Sequence, residues 1–371
     1  MSSAVEAPQA GSSKMLFENG LPVQAMATPQ PCPEGASIGA GSEELALAAI
    51  NAAVAAAGGT CIRIFVAGAV THVGKTTVCL SLLMALRRAG LKAAELAYIK
   101  PATQCEAPDL LARWCAMEGV EHVSGEKAPL VFYQGFTRSF LAGEQGTSAQ
   151  WIERIGAHLD RLAEGRRVLI VDGVGFPSVG SIVGVDNADV AKAARAPVLL
   201  VCKSGVGAAV DSFSLNSSYF LAKGVPVLGA VFNLGDLEGF NSWDKCAENI
   251  ALWFARGGRR ERYYGVVPMV SQLDGLRERI KDTEEDQLLS MAKVNASHFA
   301  AHVDLAAIFA DAAADPWCRS RAGAVPAAAP AAKLPSAAAQ PTVKEHTGAF
   351  KPASREAVTA QANAAGAKGG G

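Results

Sequence analysis

One stretch of ten residues constrains this chain more than any other: Gly68-Ala-Val-Thr71-His-Val73-Gly74-Lys75-Thr76-Thr77. It follows an apolar run of strand length, Ile62–Ala67, and leads into Val78-Cys-Leu-Ser-Leu-Leu, which opens a helix. Each part has a chemical reason. Gly68 and Gly74 let the backbone curl so that successive N–H groups face one anion, backed by the positive end of the following helix dipole. Val73 and Thr77 lie in the same phosphate-facing run. Lys75 is placed to reach the β- and γ-phosphates of a nucleoside triphosphate, and the Thr76 hydroxyl to ligate the Mg²⁺ that bridges them. The common form of this loop has four residues between its glycines; here there are five, because Ala69 stands where the first glycine would be.

From Cys61 onward, apolar runs of strand length alternate with helical stretches as far as Tyr263–Val267. That alternation predicts an α/β, P-loop NTPase-type three-layer fold, with a mostly parallel central sheet flanked by helices. Leu273–Ala292 and Ser297–Ala314 read as further helices at its end. The expected organisation is a flexible leader over 1–41, an Ala-rich helix within 42–60, one nucleotide-binding domain over 61–311, and a disordered Ala/Pro/Gly-rich tail over 312–371.

Two more strand ends carry chemistry. Ala97-Tyr98-Ile99-Lys100-Pro101 brings a lysine to the rim where a parallel sheet presents its phosphate loop, and Lys100 there can neutralise a transferred phosphoryl group or an anionic substrate. Val168-Leu-Ile-Val-Asp172-Gly-Val-Gly175 is an apolar strand ending in an acid, followed by two glycines. Its carboxylate belongs beside the metal, and Gly175 allows close phosphate approach. Asp109 opens a helix, where an acid also suits the helix dipole, so a functional and a capping role both stay open.

Composition narrows the partners. Half of the residues are hydrophobic and the net charge is −1, which gives no electrostatic case for nucleic acid or an anionic membrane. No apolar run approaches the roughly 20 residues of a membrane helix. Eight scattered cysteines without CxxC spacing read as reduced thiols, and the cytoplasm is the expected location, an organelle being left open. His298 and His302, four apart, lack a third ligand nearby in sequence and read as a helix face rather than a metal site.

Together these elements make the chain from about Arg63 to Leu273 resemble dethiobiotin synthase, and the related domain at the N-terminus of some phosphotransacetylases. The five-residue spacer is that family's own variant of the loop. Tyr98-Ile-Lys-Pro, Asp172-Gly-Val-Gly in place of Glu-Gly-Ala-Gly, and Gly229-Ala-Val-Phe-Asn233 reinforce it. The resemblance implies an ATP- and Mg²⁺-dependent ligase that closes a diamine carbamate, formed from CO₂, into a cyclic urea. It implies that Lys75 contacts phosphate, that Thr76, Asp109 and Asp172 hold Mg²⁺, and that Thr71 and Lys100 face the carbamate and the migrating phosphoryl group. Asn233 would bond adenine, Gly265-Val-Val-Pro268 would form an adenine-facing loop, and the protein would be a homodimer. The departures are Asp172, one methylene shorter than the family's Glu, Val70 in place of an acid, Gln104 in place of a small hydroxyl residue, and a shorter stretch between Lys100 and Asp109. The alternative they leave is a non-catalytic or regulatory ATP-binding module.

Overall fold

Strand order in the computed structural model places the loop at the centre of the sheet. Seven strands, β1 (Ile62–Gly68), β2 (Leu96–Ile99), β4 (Glu121–Val123), β6 (Val168–Asp172), β7 (Val198–Lys203), β8 (Val227–Gly235) and β9 (Arg262–Pro268), pair in the order β4-β2-β6-β1-β7-β8-β9. Every pairing is parallel. The chain builds outward from β1 toward β4 and then, after β6, outward the other way to β9, so the direction of the order changes at β1. In such sheets the crevice beyond the carboxyl ends at the reversal is where ligands sit. The structure describes residues 40–104, 109–256, 258–270 and 283–319, all within the unit Met1–Ala322.

The strands are apolar on both faces because both are covered. From β1, Ile62, Ile64 and Val66 point into one core with α1 (Ala40–Ala56), α2 (Lys75–Arg88), α3 (Leu110–Glu118), α9 (Glu285–His302) and α10 (Leu305–Ala314). Phe65 and Ala67 point into the other, with α4 (Phe136–Leu141), α5 (Ser148–Ala163), α6 (Asn187–Ala194), α7 (Gly207–Ala222) and α8 (Trp243–Arg256). This is the three-layer α/β fold that the strand–helix alternation predicts. The same period of two puts Tyr98 and Ile170 on the α2 face and Ala97, Ile99 and Val171 on the opposite one.

The two expected C-terminal helices need correction. A single helix, α9, runs unbroken from Glu285 to His302, and the break comes at Val303–Asp304, where Asp304 caps α10 by accepting from the Ala307 N–H at 2.9 Å. The polar Asn295-Ala-Ser stretch stays helical because Asn295 is buried, and its amide donates to Thr77 O at 3.1 Å and Ser81 Oγ at 2.8 Å. Those bonds tie α9 to the first turns of α2. α10 continues through Ala314 with Ala312 and Ala313 buried, past the expected start of the tail; residues 320–371 of that tail, residues 1–39 of the leader and residues 273–282 lie outside the described residues. The short edge strand β4, the two-residue pair β3 (Ala102–Thr103) with β5 (Leu130–Val131), and α4 carry too few residues for periodicity to show.

The histidine pair serves packing. His298 Nε2 lies 3.0 Å from Pro268 O, and the His302 ring stands edge-on to Trp243 at 4.9 Å. Among the described residues no group of three or more His, Cys, Asp or Glu is placed to hold a metal, and no helix is long and apolar enough to cross a membrane. Cys61, Cys79, Cys115, Cys202 and Cys246 are unbridged, four of them buried.

Candidate functional site

The loop between β1 and α2 is held open from several sides. Gly74 caps α2 at φ 90°, and a Cβ there would stand 2.3 Å from Asn233 Nδ2, so only glycine fits. A Cβ on Gly68 would come within 2.9 Å of Val70 O and of Val73 Cγ1. Asn233, at the end of β8, donates its Nδ2 to Val73 O at 2.9 Å, and the Thr77 hydroxyl donates to Gly74 O at 2.6 Å. No side chain caps the N-terminus of α2 and its first turn has no acid. Its leading N–H groups are the orphan donors that suit an anion.

Three charged groups converge below this loop. Asp172, at the carboxyl end of β6, is fully buried. Its Oδ2 accepts from the Thr76 hydroxyl at 2.9 Å and the Tyr98 hydroxyl at 3.0 Å, and lies 3.4 Å from Lys100 Nζ. Lys100 also lies 3.8 Å from Asp109 Oδ2, so one ammonium sits between two carboxylates. Asp172 draws the Lys100 pKa above its ordinary value, and Asp109 adds to this against the opposing effect of burial. Burial pushes the Asp109 carboxyl up, although Lys100 pulls it down. Asp109 also caps α3 by accepting from the Ala112 N–H at 2.9 Å, so the capping role left open for it is filled.

Lys75 donates to Gly175 O at 2.8 Å, which brings the loop after β6 against the phosphate loop. Burial lowers the pKa of Lys75, and the nearby Lys100 pushes the same way. Thr71 is exposed at the lip, and its methyl lies 3.7 Å from where a Cβ on Gly175 would stand. Pro268 ends β9, so Gly265–Pro268 is strand rather than loop, with its carboxyl end beside Gly235 of β8. Thus Thr76, Lys100, Asp109 and Asp172 form one connected set of contacts, and Lys75 with Gly175 adjoins it through the Lys75–Thr76 peptide bond. Thr71 borders it, Asn233 supports it through Val73, and Pro268 lies on the far side of β8.

Two contributors are given no role in the sequence reading. Tyr98 lies two residues before Lys100 and so on the same strand face, a signal available from period-two alternation. Asn187 gives no such signal. Buried at the start of α6, it accepts from the Val174 N–H at 2.9 Å and donates to Val174 O and Phe176 O, both at 2.7 Å. It clamps the turn that carries Gly175.

The oxygen donors suit a hard divalent cation. Among the described residues Asp172 Oδ1 has no hydrogen-bond partner although it is buried, the Thr76 oxygen keeps lone pairs after donating its proton to Asp172, and Asp109 adds a second carboxylate nearby. A buried carboxylate oxygen left without a partner is costly, and an oxygen-ligated ion such as Mg²⁺ is the group that would satisfy it.

A parallel α/β sheet with this loop at its reversal point defines a P-loop nucleotide-binding protein. Within that class, residues 62–277 match the AAA domain family model. The ATP-dependent dethiobiotin synthetase BioD of Anaeromyxobacter dehalogenans is 31% identical over 177 residues, covering 46% of this chain and 75% of the relative. That of Akkermansia muciniphila is 29% identical over 168 residues, covering 45% and 76%. The chain belongs to this BioD-like P-loop family. Solved structures are more distant. A Cyanothece McdA variant in complex with ATP is 15% identical with a TM-score of 0.36, over 65% of this chain and 97% of that one. A nucleotide-binding protein from Archaeoglobus fulgidus with ADP is 14% identical with a TM-score of 0.34, over 68% and 92%.

Proposed function

We propose that this protein is an ATP- and Mg²⁺-dependent ligase of the dethiobiotin-synthetase type, forming a cyclic urea from a diamine and CO₂. The observation that carries the reading is Lys100, an ammonium held between Asp172 and Asp109 at the rim occupied by the phosphate loop. In that reaction one amine of 7,8-diaminononanoate adds to CO₂ with loss of a proton. The carbamate oxygen then attacks the γ-phosphorus of ATP and ADP leaves; the second amine attacks the activated carbonyl carbon and inorganic phosphate leaves. The transferred group needs positioning and charge neutralisation more than covalent help.

In this scheme α2 and Lys75 bind the β- and γ-phosphates, and Lys75 exchanges its hydrogen bond to Gly175 O for phosphate oxygen. Lys100 neutralises charge on the transferred phosphoryl group, and Thr71 at the lip orients the carbamate. Thr76, Asp172 and Asp109 would hold Mg²⁺, which when bound would offset phosphate charge. Asn233 and Pro268 flank the side assigned to adenine. We further propose a homodimer, with no nucleic-acid or membrane partner. A module that binds ATP without ligation is the rival reading, and the shorter stretch between Lys100 and Asp109 is what favours it.

The test is incubation of the protein with 7,8-diaminononanoate, bicarbonate and Mg-ATP, with ADP, phosphate and cyclic urea measured together. Equal yields of the three support the ligase. Nucleotide binding with no diamine-dependent phosphate release supports the rival.

A further inference from the structure

Asp172 is shorter by one methylene than the glutamate it replaces in the family pattern, yet it is the most heavily contacted carboxylate of the site. All of its contacts fall on one oxygen. Oδ2 accepts from Thr76 at 2.9 Å and Tyr98 at 3.0 Å and lies 3.4 Å from Lys100, while Oδ1 has no hydrogen-bond partner among the described residues. A carboxylate is free to rotate about its last bond unless something fixes it, and here the fixing group comes from the core. Tyr98 is fully buried, and its neighbours on the α2 face of the sheet are apolar. A phenylalanine would fill the same volume. A buried phenol needs an acceptor, and the one it reaches is Asp172. The β2–β6 register makes this possible, because Tyr98 pairs with Ile170 and its ring runs along the strand face toward the carboxylate two residues on.

Building on the magnesium–nucleotide reading above, we infer that Tyr98 is a positioning residue: its hydroxyl anchors Asp172 by Oδ2 and so reserves Oδ1 for the cation. Thr76 and Lys100 also contact Oδ2, but both have work at the nucleotide. Tyr98 lies behind them in the core and holds the carboxylate whether or not they turn away.

The experiment compares binding of a fluorescent ATP analogue with Mg²⁺ and with EDTA, in the unaltered protein and in Tyr98→Phe. The expected result is that Tyr98→Phe loses about tenfold of the Mg²⁺ enhancement and keeps the EDTA affinity within about twofold, the size expected for one hydrogen bond to a charged group. An unchanged enhancement, or a parallel loss of both affinities, overturns the assignment. A second arm uses Asp172→Glu alone and with Tyr98→Phe. The longer side chain collides with the anchored hydroxyl, so the enhancement should be lower in Asp172→Glu than in the double variant; equal effects in the two backgrounds contradict the anchor. If the unaltered protein shows no Mg²⁺ enhancement, the metal-site reading itself fails and the inference falls with it.

Discussion

The two carboxylates beside Lys100 are chemically alike and differently housed. Asp172 is fully buried, ends a central strand and takes two hydroxyl hydrogen bonds besides the lysine. Asp109 keeps 31% of its side chain exposed, opens a helix near the sheet edge, and adds one backbone cap to a looser lysine contact. The contrast teaches that one of the two carboxylates is built into the core, whereas the other is set at its edge. Errors at the first should therefore damage the fold as well as the chemistry. Errors at the second should damage the chemistry more.

Asp172→Ala breaks the comparison at its strongest point. It leaves the Tyr98 hydroxyl and the Lys100 ammonium without their carboxylate, and removing one partner of a buried pair costs about 3–5 kcal/mol. Chemical denaturation should show a loss of that size, with nucleotide turnover abolished. Lys100→Met comes next: losing one stabiliser of transition-state charge should lower kcat about 10²–10³-fold while nucleotide affinity changes only a few-fold. Steady-state kinetics beside direct binding separates the two.

Asp109→Asn should leave stability within about 1 kcal/mol, because asparagine caps a helix as well as aspartate does. It should raise the Mg²⁺ concentration needed for half-maximal turnover. A loss of stability near that of Asp172→Ala would erase the distinction between the two sites.

The smallest expected effect is the pH response of Asp109. Its folded pKa lies above the ordinary 3.8, from burial first, against the pull of Lys100. The folded state therefore binds more protons than the unfolded chain just above that value, and stability falls as pH rises through the window between the two pKa values. Asp109→Asn should lack that decline when its denaturation curves are compared with those of the unaltered protein across the same window.

Much of this is legible without the fold. Gly68, Gly74, Lys75 and Thr76 announce themselves by spacing, because the phosphate loop needs those residue types in that order. Asp172 and Lys100 are readable as polar residues that end apolar strands, a position a parallel sheet turns into a shared rim. The partners are harder. Tyr98 looks like ordinary core, and only the register of β2 on β6 brings its hydroxyl to Asp172. Asn187 and Asn295 act through backbone carbonyls remote in sequence, on Val174 and on Thr77, and no local pattern encodes such contacts. Asn295 also explains why the helix boundary falls elsewhere than periodicity predicts: a polar residue that breaks the apolar pattern can still be helix interior when its amide has buried partners.

The most direct test of the account is calorimetric titration of ATP into the unaltered protein and into Asp172→Ala, each with Mg²⁺ and with EDTA. The account predicts tighter binding with Mg²⁺ in the unaltered protein and no such difference in Asp172→Ala once that variant is shown by its far-ultraviolet spectrum to be folded. Equal affinity with and without Mg²⁺ in the unaltered protein, or an enhancement that survives the loss of Asp172, would contradict it.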